Sequence, residues 1–127
     1  MGYLLDTCTL LWFFTGADDF GGNARNFIEN KDARKFVSVV SLWEFAIKYN
    51  SGKLQYDGGL PQFRKSIDTN GFTVLPIYQP HLEQLTRLPF HHRDPFDRLL
   101  VATAQAEGMT IVTRDENIRK YDVRVLW

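Results

Sequence analysis

The sequence of 127 residues predicts an α/β domain built on a parallel sheet. Three observations carry that prediction. Short apolar runs alternate with amphipathic helical stretches, the signature of strand–helix–strand units. The first run, residues 2–6, is apolar up to its final acid, as suits a central strand buried on both faces. Turn and cap residues separate the segments, and no repeat or low-complexity stretch interrupts them. One domain over residues 1–127 is expected, a three-layer α/β/α sandwich with five parallel strands and right-handed crossovers.

The elements follow in order. After the strand at 2–6, residues 9–14 read as a short helix, ended by Gly16 and an Asp18-Asp19 turn. Residues 23–30 form a helix with Ala24, Phe27 and Ile28 on one face. Lys35-Phe36-Val37-Ser38 is the second strand. Ser41-Leu42-Trp43-Glu44 has the spacing of a capping box, and Leu42, Phe45, Ala46 and Tyr49 continue at helical spacing to Asn50-Ser51-Gly52. Residues 60–70 make the next helix, with Pro61 in its first turn and Gly71 past its end. Residues 72–75 are the third strand, and Pro76 and Pro80 lead into a helix over 81–88. Residues 89–93 are a loop. Asp94 is an N-cap, Pro95 takes the first helical position and Asp97 the third, and that helix runs to Gly108. Residues 110–113 and 123–126 are the last two strands, with one or two helical turns between 116 and 121.

Composition narrows the function. An apolar fraction of 44% supports a real core. Fifteen basic and fifteen acidic side chains cancel, so any polyanion is held by a local patch and not by bulk charge. The single Cys8 excludes an intrachain disulfide and a multi-cysteine zinc site, and is expected to be a small buried side chain. No basic leader precedes Asp6, and no apolar run approaches the ~20 residues that span a bilayer. A soluble cytoplasmic protein is therefore expected.

Four acids stand out: Asp6, Glu44, Asp97 and Asp115. Each has a structural explanation in view. Glu44 can return the capping bond to Ser41, Asp97 gains from the helix dipole by ~0.3–1 kcal/mol, and Asp115 can serve as a turn or cap residue. Asp6 is harder to explain away, because a carboxylate ending an apolar first strand lies near the core and needs a cation or several donors. In a parallel sheet all four positions fall near the carboxyl ends of strands, where open α/β folds place their sites. Carboxylates gathered there repel one another unless a hard cation such as Mg²⁺ or Mn²⁺ joins them. The chemistry suggested is phosphodiester hydrolysis. Arg93, Arg98 and Arg114 beside these acids read as surface ion-pair partners or phosphate contacts. His91 and His92 read as loop or hydrogen-bonding residues. The Trp12-Phe13-Phe14 and Trp43/Phe45 aromatics read mainly as core, with a partner surface as the other use.

Taken together, Leu4-Leu5-Asp6-Thr7 with Leu10-Leu11-Trp12, Ser41-Leu42-Trp43-Glu44, His92-Arg93-Asp94-Pro95-Phe96-Asp97-Arg98-Leu99-Leu100 and Thr113-Arg114-Asp115 resemble a PIN domain, above all the VapC-type toxin ribonucleases. The third block is the most specific. The resemblance implies strand order 3-2-1-4-5 and an Mg²⁺- or Mn²⁺-dependent endoribonuclease. It makes Asp6, Glu44 and Asp97 the core metal-binding and catalytic acids, with Asp115 the fourth. Thr7 and Thr113 match hydroxyl residues that orient these acids, and Asp94 stays a cap. It also implies an RNA substrate, a homodimer, and a small antitoxin partner whose C-terminal segment lies across the active-site groove. Two rivals stand against it. A haloacid-dehalogenase-type phosphatase needs a second acid two residues after Asp6, where Cys8 stands. A non-catalytic RNA-binding or scaffold module of the same fold is the other.

Overall fold

The computed structural model describes residues 2–16 and 22–127, so the expected Asp18-Asp19 turn lies outside the described residues. Five strands, β1 (Tyr3–Leu5), β2 (Lys35–Ser38), β3 (Thr73–Leu75), β4 (Thr110–Val112) and β5 (Val125–Leu126), form one sheet. Its order is β3-β2-β1-β4-β5, and every pairing is parallel. The expected order is therefore present, with the first strand at the centre. Its register sets Leu4 between Phe36 and Ile111, and Leu5 between Val37 and Val112.

Side chains alternate across a strand, so these two rows face opposite ways. Leu4, Ile111 and partly buried Phe36 join one apolar cluster with Leu88, Leu99, Leu100, Val101 and Ile118. Leu5, Val37 and Val112 join the other, with Leu10, Ala24, Ile28, Phe45, Phe63 and Ile67. The first cluster is covered by α5 (Gln79–Thr86), α6 (Pro95–Glu107) and α7 (Glu116–Arg119). The second is covered by α1 (Thr7–Thr15), α2 (Gly22–Glu29) and α4 (Gly59–Thr69). Helix α3 (Val39–Asn50) contributes to both, through Val40 to the first and Phe45 to the second. The three-layer arrangement is thus a direct reading of strand alternation. Among the described residues no helix is long and apolar enough to cross a membrane.

Helices α1, α3 and α5 start earlier than the sequence suggests, α5 running Gln79–Thr86 and not 81–88 because Pro80 is accepted in its first turn. Helix α1 begins at Thr7 because Asp6 caps it, its carboxylate accepting from the Thr9 amide at 2.8 Å. Helix α3 begins at Val39, capped by the Ser38 hydroxyl, which accepts from the Val40 amide at 3.0 Å. The expected Ser41–Glu44 capping box is absent. Ser41 lies inside the helix, and among the described residues its hydroxyl is the buried side-chain atom without a hydrogen-bond partner. The end of β2 already supplied a serine at the right backbone angles, so the later one had no cap to make. Helix α6 starts as expected, with Asp94 accepting from the Phe96 and Asp97 amides. Gly108 ends it at φ 67°, in the left-handed region that a side chain resists.

Leu100 on α6 is 1% exposed at the centre of the first cluster, whereas Leu82 on α5 is 46% exposed. Leu100→Ala is expected to lower unfolding stability by about 2–5 kcal/mol. Leu82→Ala should cost less than about 1 kcal/mol. Urea denaturation followed by circular dichroism measures both.

Candidate active site

The crevice beside β1 is where strand order reverses, since β2 lies on one side and β4 on the other. Open α/β sheets place ligands at that point, beyond the carboxyl ends of the strands. A cavity of about 310 Å³ occupies it, lined by Asp6, Glu44, Asp97 and Asp115 together with Thr7, Cys8, Trp12, Thr113 and Arg114. All four acids singled out in the sequence therefore reach one cavity, from β1's end, α3, α6 and the turn after β4. A larger hollow of about 900 Å³ between Phe14, Tyr56 and Gln62 is lined by one acid among the described residues, Asp57.

Asp6 is 7% exposed. One oxygen caps α1, and the other accepts from the Thr113 hydroxyl at the end of β4. That hydroxyl in turn accepts from the Asp115 amide at 3.0 Å. Thr113 therefore joins two of the acids through one oxygen atom. Burial raises the Asp6 carboxyl above its ordinary value; the Thr113 and Thr9 bonds pull it down, and Asp115 adds to the rise. Its helix-capping role escaped the sequence analysis, although an Asp immediately before the Thr7-Cys8-Thr9 helix start is a signal for it.

Glu44 sits in the second turn of α3 and is 5% exposed. The Thr7 hydroxyl donates to Oε1 at 2.6 Å, and the Lys48 ammonium donates to Oε2 at 2.6 Å. Lys48 was missed by the sequence analysis; its i,i+4 spacing from Glu44 was the available signal. Burial pulls the Lys48 ammonium down, but the bond and charge of Glu44 win, leaving it above its ordinary value. The pair puts a fixed positive charge on the α3 side of the cavity.

Asp97 lies at the third position of α6. Burial first, then the charge of Asp94, push its carboxyl up to about 6; His92 opposes the shift, and Asp115 and Asp6 add to it. Asp115 caps α7 by accepting from the Asn117 amide at 2.7 Å. Like charges thus crowd the cavity, and only Glu44 among the four acids has an ammonium on it. Among the described residues no three His, Cys, Asp or Glu side chains stand as a preformed cation cage.

Several neighbours differ from expectation. Cys8 is exposed at the cavity rim, because the helix face that carries it turns outward while Thr7 and Thr9 turn in. Enclosure by nearby protein, then the carboxylates of Asp6 and Glu44, push its thiol up to about 11, which removes thiolate chemistry near neutral pH. Arg98 is not a surface ion-pair partner. It is 6% exposed, and its guanidinium donates to the carbonyls of Pro89 and Leu88 and to the Tyr121 hydroxyl. Arg114 is exposed and stacks 4.3 Å over the Trp12 ring at the cavity wall. Phe45 is core as expected, but Trp43 is 56% exposed, resting edge-on against Phe96. His92 fills the expected hydrogen-bonding role, between Tyr121 and Asp97.

The sign of the Asp97 effect is fixed by its direction. A carboxyl raised in the folded state destabilises the fold when ionised, and this cost fades as pH falls through about 6 towards the ordinary 3.8. In chelator, Asp97→Asn is expected to exceed the parent in stability near pH 7.5 by on the order of 1–2 kcal/mol. The difference should shrink below pH ~6. Thermal melts across that range check it; a gap that widens on acidification contradicts the assignment.

Residues 3–124 match the family model described as PIN domain. No curated protein sequence matches the chain significantly. Similar solved structures include VapBC-1 from nontypeable Haemophilus influenzae, with TM-score 0.74 and 13% identity, covering 99% of this chain and 97% of that one. VapBC2 from Rickettsia felis, bound to a DNA fragment from its promoter, gives TM-score 0.72 at 17% identity, covering 99% and 98%. VapBC-5 from Mycobacterium tuberculosis, of the VapBC family of toxin–antitoxin systems, gives 0.64 at 16%, covering 98% and 97%. At these identities the likeness is one of fold. The match over nearly the whole chain, with the acids at the switch point of a β3-β2-β1-β4-β5 sheet, makes this protein a member of the PIN domain family.

Proposed function

We propose that this protein is a divalent-metal-dependent endoribonuclease, the toxin of a toxin–antitoxin pair. The observation that carries the reading is the convergence of Asp6, Glu44, Asp97 and Asp115 on one cavity. PIN domains are in general nucleases, and the fold neighbours are toxin–antitoxin proteins, which favours this chemistry over other uses of an acidic cavity.

The donor set fits a hard cation. All four acids bind through oxygen, and the Asp6 and Asp97 carboxyls, raised by burial first and by neighbouring acids after it, carry a charge that Mg²⁺ or Mn²⁺ stabilises. Mg²⁺ needs no complete protein cage, since it keeps several waters and takes one or two carboxylates beside substrate phosphate. Asp6, Glu44 and Asp97 are the residues to hold it, with Asp115 completing the set. Bound there, the cation supplies positive charge to the phosphate and acidity to water.

The chain's own groups do the rest. Thr113 and Thr7 hold the Asp6 and Glu44 carboxylates in place, and Lys48 fixes the second oxygen of Glu44. Arg114, stacked on Trp12, offers a guanidinium at the cavity wall for a flanking phosphate. In-line hydrolysis of RNA leaves a 5′-phosphate and a 3′-hydroxyl. A small antitoxin protein across the cavity, and a second copy of the chain as homodimer partner, complete the proposal. The exposed Trp43 and Ile47 on α3, with Phe90 beyond α5, supply apolar area suited to such partners.

Asp6→Asn and Asp97→Asn are each expected to abolish Mg²⁺-dependent cleavage of a labelled RNA, with cooperative unfolding retained. Equal cleavage by parent and variants, in nuclease-free preparations, would leave a non-catalytic module as the better reading. Millimolar Mn²⁺ should also raise the melting temperature of the parent through binding to the folded state alone. Asp97→Asn should lose most of that rise.

A further inference from the structure

The loop before α6 brings His92 against Asp97, and the donors and acceptors around it have one consistent assignment. The Tyr121 hydroxyl, on a residue 4% exposed, receives the Arg98 guanidinium at 3.1 Å and the His92 backbone amide at 3.3 Å. Both are obligate donors, so both phenolic lone pairs are taken. The hydroxyl's own proton has two acceptors in reach, His92 Nδ1 at 2.9 Å and the His92 carbonyl at 3.4 Å. The shorter contact is with the ring nitrogen. A neutral imidazole accepting at Nδ1 carries its proton on Nε2, and Nε2 lies 3.2 Å from Asp97 Oδ2.

We infer that Arg98, Tyr121 and His92 form a one-directional hydrogen-bond relay whose terminal Nε2–H holds one oxygen of Asp97, making His92 and Tyr121 positioning residues for the cavity. The role assigned to the cavity rests on the nuclease reading above; the relay itself does not. Donation runs from guanidinium to phenol, from phenol to imidazole, and from imidazole to carboxylate, with full charges only at the two ends. Arg98 also ties down the loop that carries His92, through the Leu88 and Pro89 carbonyls and the Phe90 ring 3.9 Å away. The bond fixes the orientation of the Asp97 carboxylate and takes one of its lone-pair sites, leaving Oδ1 and the remaining lone pair of Oδ2 for a cation. Partners that orient a metal-binding carboxylate in this way carry roughly 10–100-fold of metal affinity.

The relay is testable in the metal-free, full-length protein. Long-range ¹H–¹⁵N correlation near pH 8, assigned with His92→Gln, is expected to show His92 as the Nε2–H tautomer. Tyr121→Phe should mix the two tautomers while the amide spectrum keeps its dispersion. An Nδ1–H tautomer, an imidazolium, or a tautomer indifferent to Tyr121→Phe would overturn the relay. A Mn²⁺ titration read by electron paramagnetic resonance supplies the second readout. His92→Leu should weaken binding about tenfold or more, whereas His92→Gln, whose amide N–H replaces Nε2–H, should stay within about threefold of the parent. Equal affinity of all three would overturn the positioning role. No Mn²⁺ binding by the parent would overturn the nuclease reading with it, whereas a wrong tautomer beside intact binding overturns the relay alone.

Discussion

Asp6 is the constraint on which the rest of the molecule turns. A carboxylate 7% exposed at the end of the central strand is costly unless donors meet it, and the fold is arranged so that they do. One oxygen starts α1 and the other takes the hydroxyl at the end of β4. The same residue therefore ends a strand, begins a helix and ties β1 to the β4 end across the switch point. Thr9 adds a second tie, its hydroxyl donating to the Val112 carbonyl at 3.2 Å. A group that is so tightly placed for structural reasons is also preorganised for a ligand, because neither the backbone nor the side chain has to move to meet one.

The other acids are held by equally local means, and each does structural work as well. Asp115 caps α7, Glu44 is pinned between Thr7 and Lys48, and Asp97 accepts from His92. Structural use and chemical use are thus not competing explanations here. Caps hold carboxylates at helix starts, and in a parallel α/β sheet the helix starts lie at the edge where ligands bind. The electrostatic result is uneven. Glu44 has an ammonium beside it, whereas Asp6 and Asp97 are pushed towards the protonated form by burial and by neighbouring acids.

Much of this was legible in the residues. The strand sequence Leu4-Leu5 against Phe36-Val37 and Ile111-Val112 already carried the two-faced burial that makes three layers. The Asp94-Pro95 start of α6 was also plain, since its residue types permit little else. Where the reading failed, a choice between local options was settled by distant chain. Ser41 matched a capping pattern, but β2 hands over to α3 at Ser38, three residues earlier. Arg98 looked like a surface charge, but the loop at 88–90 wraps around it and buries it. Cys8 looked like core and faces outward, since the α1 residues on either side of it take the inward positions.

Residue order alone determined the alternation of strand and helix, the apolar rows that force a sheet between two layers, and the acids that a buried strand end cannot leave unpartnered. Those features depend on spacing along the chain, which needs no knowledge of what lies nearby in space. Partnership across the fold was decided only by the tertiary structure: Thr113 on Asp6 over 107 residues, Thr7 on Glu44 over 37, Tyr121 on His92 over 29. A hydrogen bond requires about 3 Å of approach and a free lone pair. Both are properties of the packed chain, fixed once β4 lies beside β1 and α7 beside α6.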